Sequence, residues 1–262
     1  MMKPRALILL AQGTNRDHDV AEALSLAGAD PEIVPLNHLR EKRGSIQGYQ
    51  MLVLPGGFSY ADALGAGKLF AIDLEAYFKE EVANFVALGK PVIGICNGFQ
   101  ALVKAGILPG AAEPNAAAPQ ATLTFNACGH FECRWVTLEP VSETCIWTKG
   151  MAGLVTCPVA HAEGNFQVPD EAVLATLQSR GQIALRYVRP DGTPADGAYP
   201  ANPNGSAEDI AGICNPLGNV LGLMPHPENH IHPWQHPQWT RGVSGRSGLV
   251  LFENGVQYAA YL

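Results

Sequence analysis

The sequence predicts an α/β fold with an open, doubly wound, mostly parallel sheet and a β-rich insertion in its second half. Two patterns in the first hundred residues carry this prediction: short, continuous apolar runs, and segments of helical periodicity between them. Continuous rather than alternating apolarity is typical of strands that are covered on both faces, as in a parallel sheet. A third observation is the change of character near Thr122, where hairpin-like strands replace the alternation.

The predicted strands of the first half are the apolar runs at residues 6–11, 33–36, 50–54 and 91–95. A helix is predicted over Asp17–Ala27, because Val20 and Leu24 recur at helical spacing, and a second over residues 72–88. Strands that alternate with helices imply right-handed βαβ units, and these build the open sheet.

In the second half, antiparallel strands are predicted at residues 122–126, 131–139, 154–158 and 183–188. The Ala- and Pro-rich residues 111–120 are predicted to form a surface connection. We expect a single domain over residues 1–262. Its β-rich insertion spans about 122–190, and a C-terminal loop and tail span about 229–262.

Composition excludes several classes of protein. A net charge of −7 argues against nucleic-acid binding, which needs a basic surface. No apolar run approaches the roughly 18 residues of a membrane span, and the apolar start is too short for a secretory signal. Hydrophobic residues make up 47% of the chain, and the six cysteines form no C-x-x-C pair, so disulfide staples are not expected. We expect a soluble, cytoplasmic protein whose cysteines mostly serve packing, with the exception of Cys96.

Cys96 lies at the centre of a G-x-C-x-G sequence, residues 94–98, between an apolar strand and a helical stretch. This is the cysteine counterpart of the nucleophile elbow, in which the two glycines allow a sharp strand-to-helix turn. The side chain then projects at the carboxyl end of the sheet, where open α/β sheets bind ligands. The helix N-terminus favours a thiolate, and N–H groups such as that of Asn97 can bind an oxyanion. We predict a nucleophile at Cys96; the alternative is a buried cysteine beside a tight turn.

A thiol nucleophile needs a base, and the base needs a group that orients it. His226 follows another apolar run and has a proline on either side, which favours extended backbone. In that conformation Glu228, two residues on, can reach the His226 side chain. Gly56 and Gly57 follow the run at 50–54, and their N–H groups can complete an oxyanion hole. The alternatives are a Pro-rich surface loop and an ordinary turn.

Taken in order and spacing, these segments resemble the class I glutamine amidotransferase family, which has a flavodoxin-like sheet. The segments are residues 54–60 (LPGGFSY), 94–100 (GICNGFQ) and 224–228 (MPHPE). The chain is most similar to the family of glutaminase subunits of phosphoribosylformylglycinamidine synthase, the PurQ type. That closer resemblance rests also on residues 131–136 (FECRWV), 158–164 (PVAHAEG) and 202–212 (NPNGSAEDIAG), and it covers nearly the whole chain.

The resemblance implies a role for each motif residue. Cys96 is the nucleophile, His226 the general base and acid, and Glu228 the residue that orients His226. The backbone N–H groups of Gly57 and Asn97 form the oxyanion hole. The implied glutamine-binding residues are Gly56, Gly57, Gln100, His161 and Glu163, with a structural turn as the alternative for the last two. Residues 14–17 read TNRD where the family usually has TNCD, so Arg16 puts in doubt a cysteine role at that position.

The resemblance also implies partners and cofactors. Glutamine is hydrolysed through a Cys thioester to glutamate and ammonia. A PurL-type synthetase subunit uses the ammonia to make formylglycinamidine ribonucleotide in de novo purine biosynthesis, and a small PurS-type subunit is a further candidate partner. ATP and magnesium are expected on the synthetase, because residues 65–69 (GAGKL) do not complete a phosphate loop. No cofactor is expected in this chain.

Two alternatives remain from the residues alone. One is another Cys-dependent amidotransferase or hydrolase of the same fold, and the other is a redox-sensing module with Cys96 as the sensor thiol. The His- and Trp-rich residues 226–239 complete no zinc pattern, so we expect an ordered loop at the partner interface. Residues 128–133 could supply three metal ligands but are predicted to start a strand. No metal site is therefore expected.

Overall fold

The computed structural model describes residues 3–41, 43–110 and 121–262. The strands are β1 Arg5–Leu10, β2 Asp30–Pro35, β3 Met51–Leu54, β4 Val92–Ile95, β5 Thr122–Thr124, β6 Glu132–Pro140, β7 Val155–His161, β8 Asn165–Gln167, β9 Ile183–Val188, β10 Ile210–Cys214 and β11 Val220–Leu223. The helices are α1 Asp17–Ala27, α2 Leu36–Arg40, α3 Lys68–Tyr77, α4 Lys79–Ala87, α5 Asn97–Lys104, α6 Glu171–Ser179 and α7 Leu249–Ala259. The surface connection expected at residues 111–120 lies outside the described residues.

Nine of the described strands form one sheet in the order β2-β1-β3-β4-β11-β10-β9-β6-β7, and β5 pairs separately with β8. Neighbouring strands are parallel from β2 to β11 and antiparallel from β11 to β7. The predicted α/β fold with an open sheet is confirmed. The order 2-1-3-4 of the first four strands is that of flavodoxin-like sheets.

The strand order reverses at β1, because β2 and β3 lie on opposite sides of it. Right-handed connections then put α1 and the α3–α4 pair on opposite faces of the sheet. Open α/β sheets bind ligands beside such a reversal, at the carboxyl ends of the strands. Here the loops that follow β1 and β3 meet through a bridge between Thr14 and Gly57. The fold therefore provides a ligand-binding edge next to β3 and β4.

The β-rich region expected at about 122–190 contributes β6, β7 and β9 to the main sheet, linked to β11 through β10. Each of these contacts is antiparallel, and β6 pairs with β7 over seven residue pairs. The same region contains helix α6, which begins at an Asp170 cap whose carboxylate accepts from the Val173 N–H. Most strands of the region thus extend the main sheet, while β5 and β8 form a separate two-stranded sheet.

Two expectations about the helices are wrong. The helix predicted over residues 72–88 is divided into α3 and α4 at Phe78, whose ring is buried and whose backbone leaves helical geometry (φ −127°, ψ 7°). The tail expected at about 229–262 contains α7, which packs on α1 and buries Leu251 and Phe252. The apolar residues of α7 follow helical spacing, so the signal was present in the sequence.

The hydrophobic core lies on both sides of the parallel strands, and every residue of β3 and β4 is buried. This agrees with the continuous apolarity of their sequences. Among the described residues, no helix has the length and apolar character that a membrane span requires.

Candidate active site

The predicted elbow at Cys96 is a sharp turn between the buried strand β4 and helix α5. The Cys96 backbone has φ 49° and ψ −104°, in the region that L-residues seldom adopt. Strain of this kind persists only where the surroundings enforce it, and it is common at functional sites. A Cβ at Gly98 would lie 2.0 Å from the Leu54 carbonyl oxygen, and one at Gly94 would lie 2.5 Å from Leu102 Cδ1. Both glycines are therefore required by close packing.

His226 reaches the same edge because β11 lies parallel to β4. Leu223 pairs with Ile95 in register, and the N–H of Cys96 donates to the Leu223 carbonyl over 2.8 Å. The N–H of His226 donates in turn to the carbonyl of Pro158 in β7, also over 2.8 Å. The chain segments after β4 and β11 are thus held side by side.

The His226 ring is oriented by a buried carboxylate. Its Nδ1 lies 2.6 Å from Glu228 Oε1, and neither side chain is appreciably exposed. Burial disfavours a charged imidazole, but the Glu228 carboxylate and the Cys96 thiolate outweigh it and raise the pKa of His226 to about 10. Because Nδ1 faces Glu228, Nε2 is the nitrogen that can exchange a proton with Cys96. The arrangement therefore favours the protonated form of the His226 ring.

At Gly56 and Gly57 the main chain passes close to the side chains of Cys96 and His226. A Cβ at Gly56 would lie 2.7 Å from Cε1 of His226 and 3.5 Å from Cβ of Cys96. Gly57 has φ 140°, and a Cβ there would lie 2.7 Å from the Asn15 N. No other residue type fits at either position without displacing the His226 ring or the Asn15 backbone.

Two backbone N–H groups remain available for a ligand at this point. Within residues 3–41, 43–110 and 121–262, neither the N–H of Gly57 nor that of Asn97 donates to a protein acceptor. Asn97 is the first residue of α5, and N–H groups in the first turn of a helix have no partner within the helix. Donors of this kind can stabilise an oxyanion.

Arg16, which stands where the related family usually has cysteine, contributes through its backbone. Its N–H donates to the Gly56 carbonyl over 3.3 Å, and its guanidinium pairs with Asp19 at 3.0 Å. Any residue except proline can make the backbone bond, so the arginine leaves the support of Gly56 intact.

The side chain of Asn97 connects α5 to the loop that follows Gly57. Its Oδ1 accepts from the Ser59 hydroxyl at 2.5 Å, and its Nδ2 donates to Asp62 Oδ1 at 2.9 Å. In this loop Tyr60, Ala61 and Asp62 all have φ between 52° and 54°, a run of left-handed residues that needs such support. Ser59 belongs to the motif at residues 54–60, but its contact and that of Asp62 depend on how the loop folds back onto α5, so no local pattern predicts them.

Gln100 and Glu163 form a polar cluster one helical turn from Cys96. Gln100 Nε2 donates to the Glu163 carbonyl at 2.7 Å, and the Glu163 carboxylate accepts from the Ala66 N–H. Lys104 Nζ lies 3.8 Å from Glu163 Oε2. Burial and the nearby Glu163 raise the pKa of Asp62, and burial lowers the pKa of Lys104. Gln100 and Glu163 are therefore brought together, with Asp62 and Lys104 as neighbours that the sequence analysis missed.

His161 ends β7 and is buried near His226. Burial, and next the positive charge of His226, lower the pKa of His161 to about 3, so the ring is neutral. Its Nδ1 lies 3.1 Å from Asn126 Oδ1, and Nε2 has no partner in the described part of the chain. A Cβ at Gly164 would lie 2.2 Å from the ring. Asn126, which fixes the ring, was missed because residues 122–126 were predicted to be strand, whereas β5 ends at Thr124 and Asn126 lies in the loop that follows.

The histidines after His226 make separate contacts with neighbouring elements, and His230 is buried. His230 Nδ1 lies 2.5 Å from the Thr156 carbonyl oxygen, and its ring packs edge-on against Trp135. His232 pairs with Glu22 at 2.8 Å, and its ring stacks on Trp234. The side chains therefore dock the segment onto β7 and α1.

The cysteines other than Cys96 divide into two groups. Cys145, Cys157 and Cys214 are buried, as a packing role requires. Cys133 is exposed on β6 and Cys128 is half-buried in the turn before it, so the packing expectation is wrong for these two. The turn at Cys128 also brings side chains of His130 and Glu132 together.

Comparisons with known proteins show the family to which the chain belongs. Residues 3–259 match the model of the CobB/CobQ-like glutamine amidotransferase domain family. A curated protein from Treponema denticola, named phosphoribosylformylglycinamidine synthase subunit PurQ, is 58% identical over 268 residues, covering 98% of this chain and 99% of that protein. A protein of the same name from Dehalococcoides mccartyi is 42% identical over 263 residues, covering 99% of each chain.

Comparison with solved structures also finds similar chains. A chain in the structure of PurLQS from Thermotoga maritima is 31% identical and superposes with a TM-score of 0.75, covering 98% of this chain and 99% of that one. A glutamine amidotransferase from the same organism is 16% identical with a TM-score of 0.52, covering 92% and 83% of the two chains, which is a likeness of fold alone.

Proposed function

The chain belongs to the CobB/CobQ-like glutamine amidotransferase family, and we propose that it is the glutaminase subunit of phosphoribosylformylglycinamidine synthase. It hydrolyses glutamine and supplies ammonia to a synthetase partner that makes formylglycinamidine ribonucleotide in de novo purine biosynthesis. The observation that carries this proposal is that Cys96, His226 and Glu228 lie together at the carboxyl edge of the sheet. Beside them are the backbone N–H groups of Gly57 and Asn97, which have no acceptor among the described residues.

The proposed reaction begins with attack of the Cys96 thiolate on the side-chain amide carbon of glutamine. The developing oxyanion accepts from the N–H groups of Gly57 and Asn97. His226 donates its proton to the departing nitrogen, so ammonia leaves and a glutamyl thioester remains. His226 then takes a proton from water, the hydroxide attacks the thioester, and glutamate leaves. Glu228 keeps the ring oriented and stabilises its charged form throughout.

We place the amino-acid end of glutamine at the polar cluster of Gln100 and Glu163. A glutamine zwitterion carries an ammonium and a carboxylate, and the cluster offers both complementary charges in Glu163 and Lys104. Gly56 lets the backbone approach the bound side chain, because a Cβ there would occupy the space beside His226. We also assign His161 to glutamine binding, because its buried Nε2 has no partner among the described residues.

The proposed partners follow from the chemistry that this chain does not carry. Formation of the amidine consumes ATP, and residues 65–69 do not form a phosphate loop. We assign ATP and magnesium to a PurL-type synthetase subunit and include a small PurS-type subunit in the complex. The assembly named PurLQS from Thermotoga maritima supports this choice of partners. A cytoplasmic location belongs to the same proposal.

A diazoketone analogue of glutamine tests the glutaminase assignment. We expect one label per chain, on Cys96, and no label in the Cys96→Ser variant. Cys133→Ser is the matched control, since that thiol is exposed on β6 and should leave labelling unchanged. Labelling of another residue, or none, contradicts the assignment. It would instead favour a hydrolase with a different substrate or a redox-sensing thiol.

Reconstitution with the synthetase tests the partner assignment separately. We expect weak glutaminase activity from the isolated chain and a strong increase on addition of the PurL-type subunit with its nucleotide ligands. Full activity of the isolated chain, with no change on addition of the synthetase, contradicts this part of the proposal.

A further inference from the structure

Three potential metal ligands converge where the turn at Cys128 meets the start of β6. Cys128 Sγ, a His130 ring nitrogen and a Glu132 carboxylate oxygen all lie within 4.8 Å of one another. His130 Nε2 and Glu132 Oε1 are 2.8 Å apart. Among the described residues, this is the place where at least three such side chains gather.

We propose that Cys128 Sγ, His130 Nε2 and Glu132 Oε1 bind one divalent transition-metal ion of the zinc type. Thiolate, imidazole and carboxylate are the ligands that zinc takes in proteins, at about 2.0–2.3 Å. In a tetrahedral site those bond lengths put the ligand atoms about 3.4–3.7 Å apart. His130 Nε2 and Glu132 Oε1, now 2.8 Å apart, must separate by less than about 1 Å, and Cys128 Sγ, within 4.8 Å of both, must approach them by at most about 1.4 Å.

The hydrogen bonds around His130 favour this assignment. Its Nδ1 lies 3.0 Å from the Cys128 carbonyl oxygen, while Nε2 faces Glu132. Both ring nitrogens thus face oxygen acceptors, whereas a neutral imidazole carries a single N–H. With Nδ1–H donated to the carbonyl, Nε2 presents a lone pair, and a cation between Nε2 and Oε1 satisfies both. A backbone carbonyl on the other ring nitrogen is the usual arrangement for a metal-bound histidine.

Glu132 is held in place from its other side. Its Oε2 lies 2.5 Å from Arg134 Nε, and the Tyr199 hydroxyl donates to Oε1 over 3.2 Å. These bonds orient a carboxylate that is 2% exposed, as hydrogen bonds to metal-bound carboxylates commonly do. The His130 side chain is 61% exposed, so water can fill the fourth position of the ion.

The turn that carries these ligands also touches the active-site loop. Phe131 lies between His130 and Glu132, and its ring stacks on Phe58, which follows Gly57, with centroids 6.4 Å apart. A bound ion would tie the two ends of this turn together and restrict the movement of Phe131 against Phe58. The metal site would therefore stabilise the turn that contacts the active-site loop, and it includes none of the residues that react with glutamine.

Metal titration of the full chain tests the proposal, in a Cys96→Ser background that removes the reactive thiol. We expect one equivalent of Zn²⁺ to bind, Co²⁺ to give a thiolate charge-transfer band, and Zn²⁺ to raise the melting temperature. Adding Cys128→Ser or His130→Ala should weaken binding at least about 100-fold. Both side chains are at least partly exposed, so these variants are expected to fold.

Two control variants distinguish this site from others. Cys133→Ser changes an exposed thiol on the same strand, and His236→Ala removes an imidazole that lies beside His230. Neither should alter the affinity for Zn²⁺ or the Co²⁺ band. The proposal is overturned if the starting protein binds no Zn²⁺, if Cys128→Ser and His130→Ala bind it unchanged, or if His236→Ala abolishes binding.

Discussion

Glu228 Oε1 lies 2.6 Å from Nδ1 of His226, and the two side chains are enclosed by the fold. The contact leaves a single direction for proton exchange, from His226 Nε2 toward Cys96. It also places a negative charge where it stabilises an imidazolium, which explains why the pKa of His226 is raised despite burial.

Replacement of Glu228 by glutamine should separate charge from geometry. The amide can keep a contact to the ring but no longer stabilises its charged form, so we expect kcat for glutamine hydrolysis to fall roughly 100-fold. Steady-state kinetics with the synthetase present measure this effect. Glu80→Gln, at an exposed position on α4, is the control and should keep wild-type activity. Equal rates for the two variants would show that Glu228 does not act on His226.

The ionic coupling of Cys96 and His226 predicts a pH dependence of stability. The pKa of His226, about 10 in the folded chain, lies above the unfolded value of about 6.5. The proton on His226 therefore contributes stability that is complete below about pH 6.5 and is lost as the pH rises through about 10. In Cys96→Ser the thiolate is absent, so the pKa of His226 falls and the loss moves to lower pH.

Urea unfolding over a pH series, together with NMR titration of the His226 ring, measures this shift. If the ring titrates at the same pH in the wild type and in Cys96→Ser, the thiolate does not act on His226 and the electrostatic account is wrong.

Gly56 should be intolerant of a single methyl group. In Gly56→Ala the new Cβ would lie 2.7 Å from His226 Cε1, so we expect displacement of the ring and at least about a 10-fold loss of diazoketone labelling rate. Gly48→Ala is the matched control, because a Cβ there meets nothing within 4 Å. Comparable labelling rates in the two variants would mean that the ring can move aside without consequence.

His161 predicts a separate effect at acid pH. The pKa of His161, about 3, lies below the unfolded value of about 6.5, so the unfolded chain takes up the proton first as pH falls. Stability should decrease from about pH 6.5 to about pH 3, by at most about 1.4 kcal/mol per pH unit from this group. His161→Gln should reduce that slope, whereas His18→Gln, at an exposed side chain, should not. Denaturant unfolding at several pH values gives the slopes, and identical slopes in both variants exclude the effect.

The sequence was informative where function demands a local backbone geometry. Cys96 between two glycines, and His226 between two prolines, could be interpreted from spacing and conformational preference alone. Asp62 and Asn126 could not, because each acts through a loop whose position depends on elements far away in the chain. The continuation of the sheet through β6, β7 and β9 was also invisible, since strand pairing across such separations leaves no local pattern.

The division between α3 and α4 at Phe78 shows what helical periodicity does not predict. Residues 72–88 carry one apolar stripe that predicts a single helix, and the stripe persists across the break because both helices bury it. Helical periodicity identifies which residues face the core but does not locate a change in helix direction.

The central claim is that glutamine is hydrolysed through a thioester on Cys96. Its most direct test is mass spectrometry of the chain after acid quench during turnover of glutamine in the reconstituted complex. The account predicts a glutamyl adduct on the peptide that contains Cys96, removed by hydroxylamine and absent in Cys96→Ser. Glutamate release by Cys96→Ser at the wild-type rate, or a glutamyl adduct on a different residue, would contradict it.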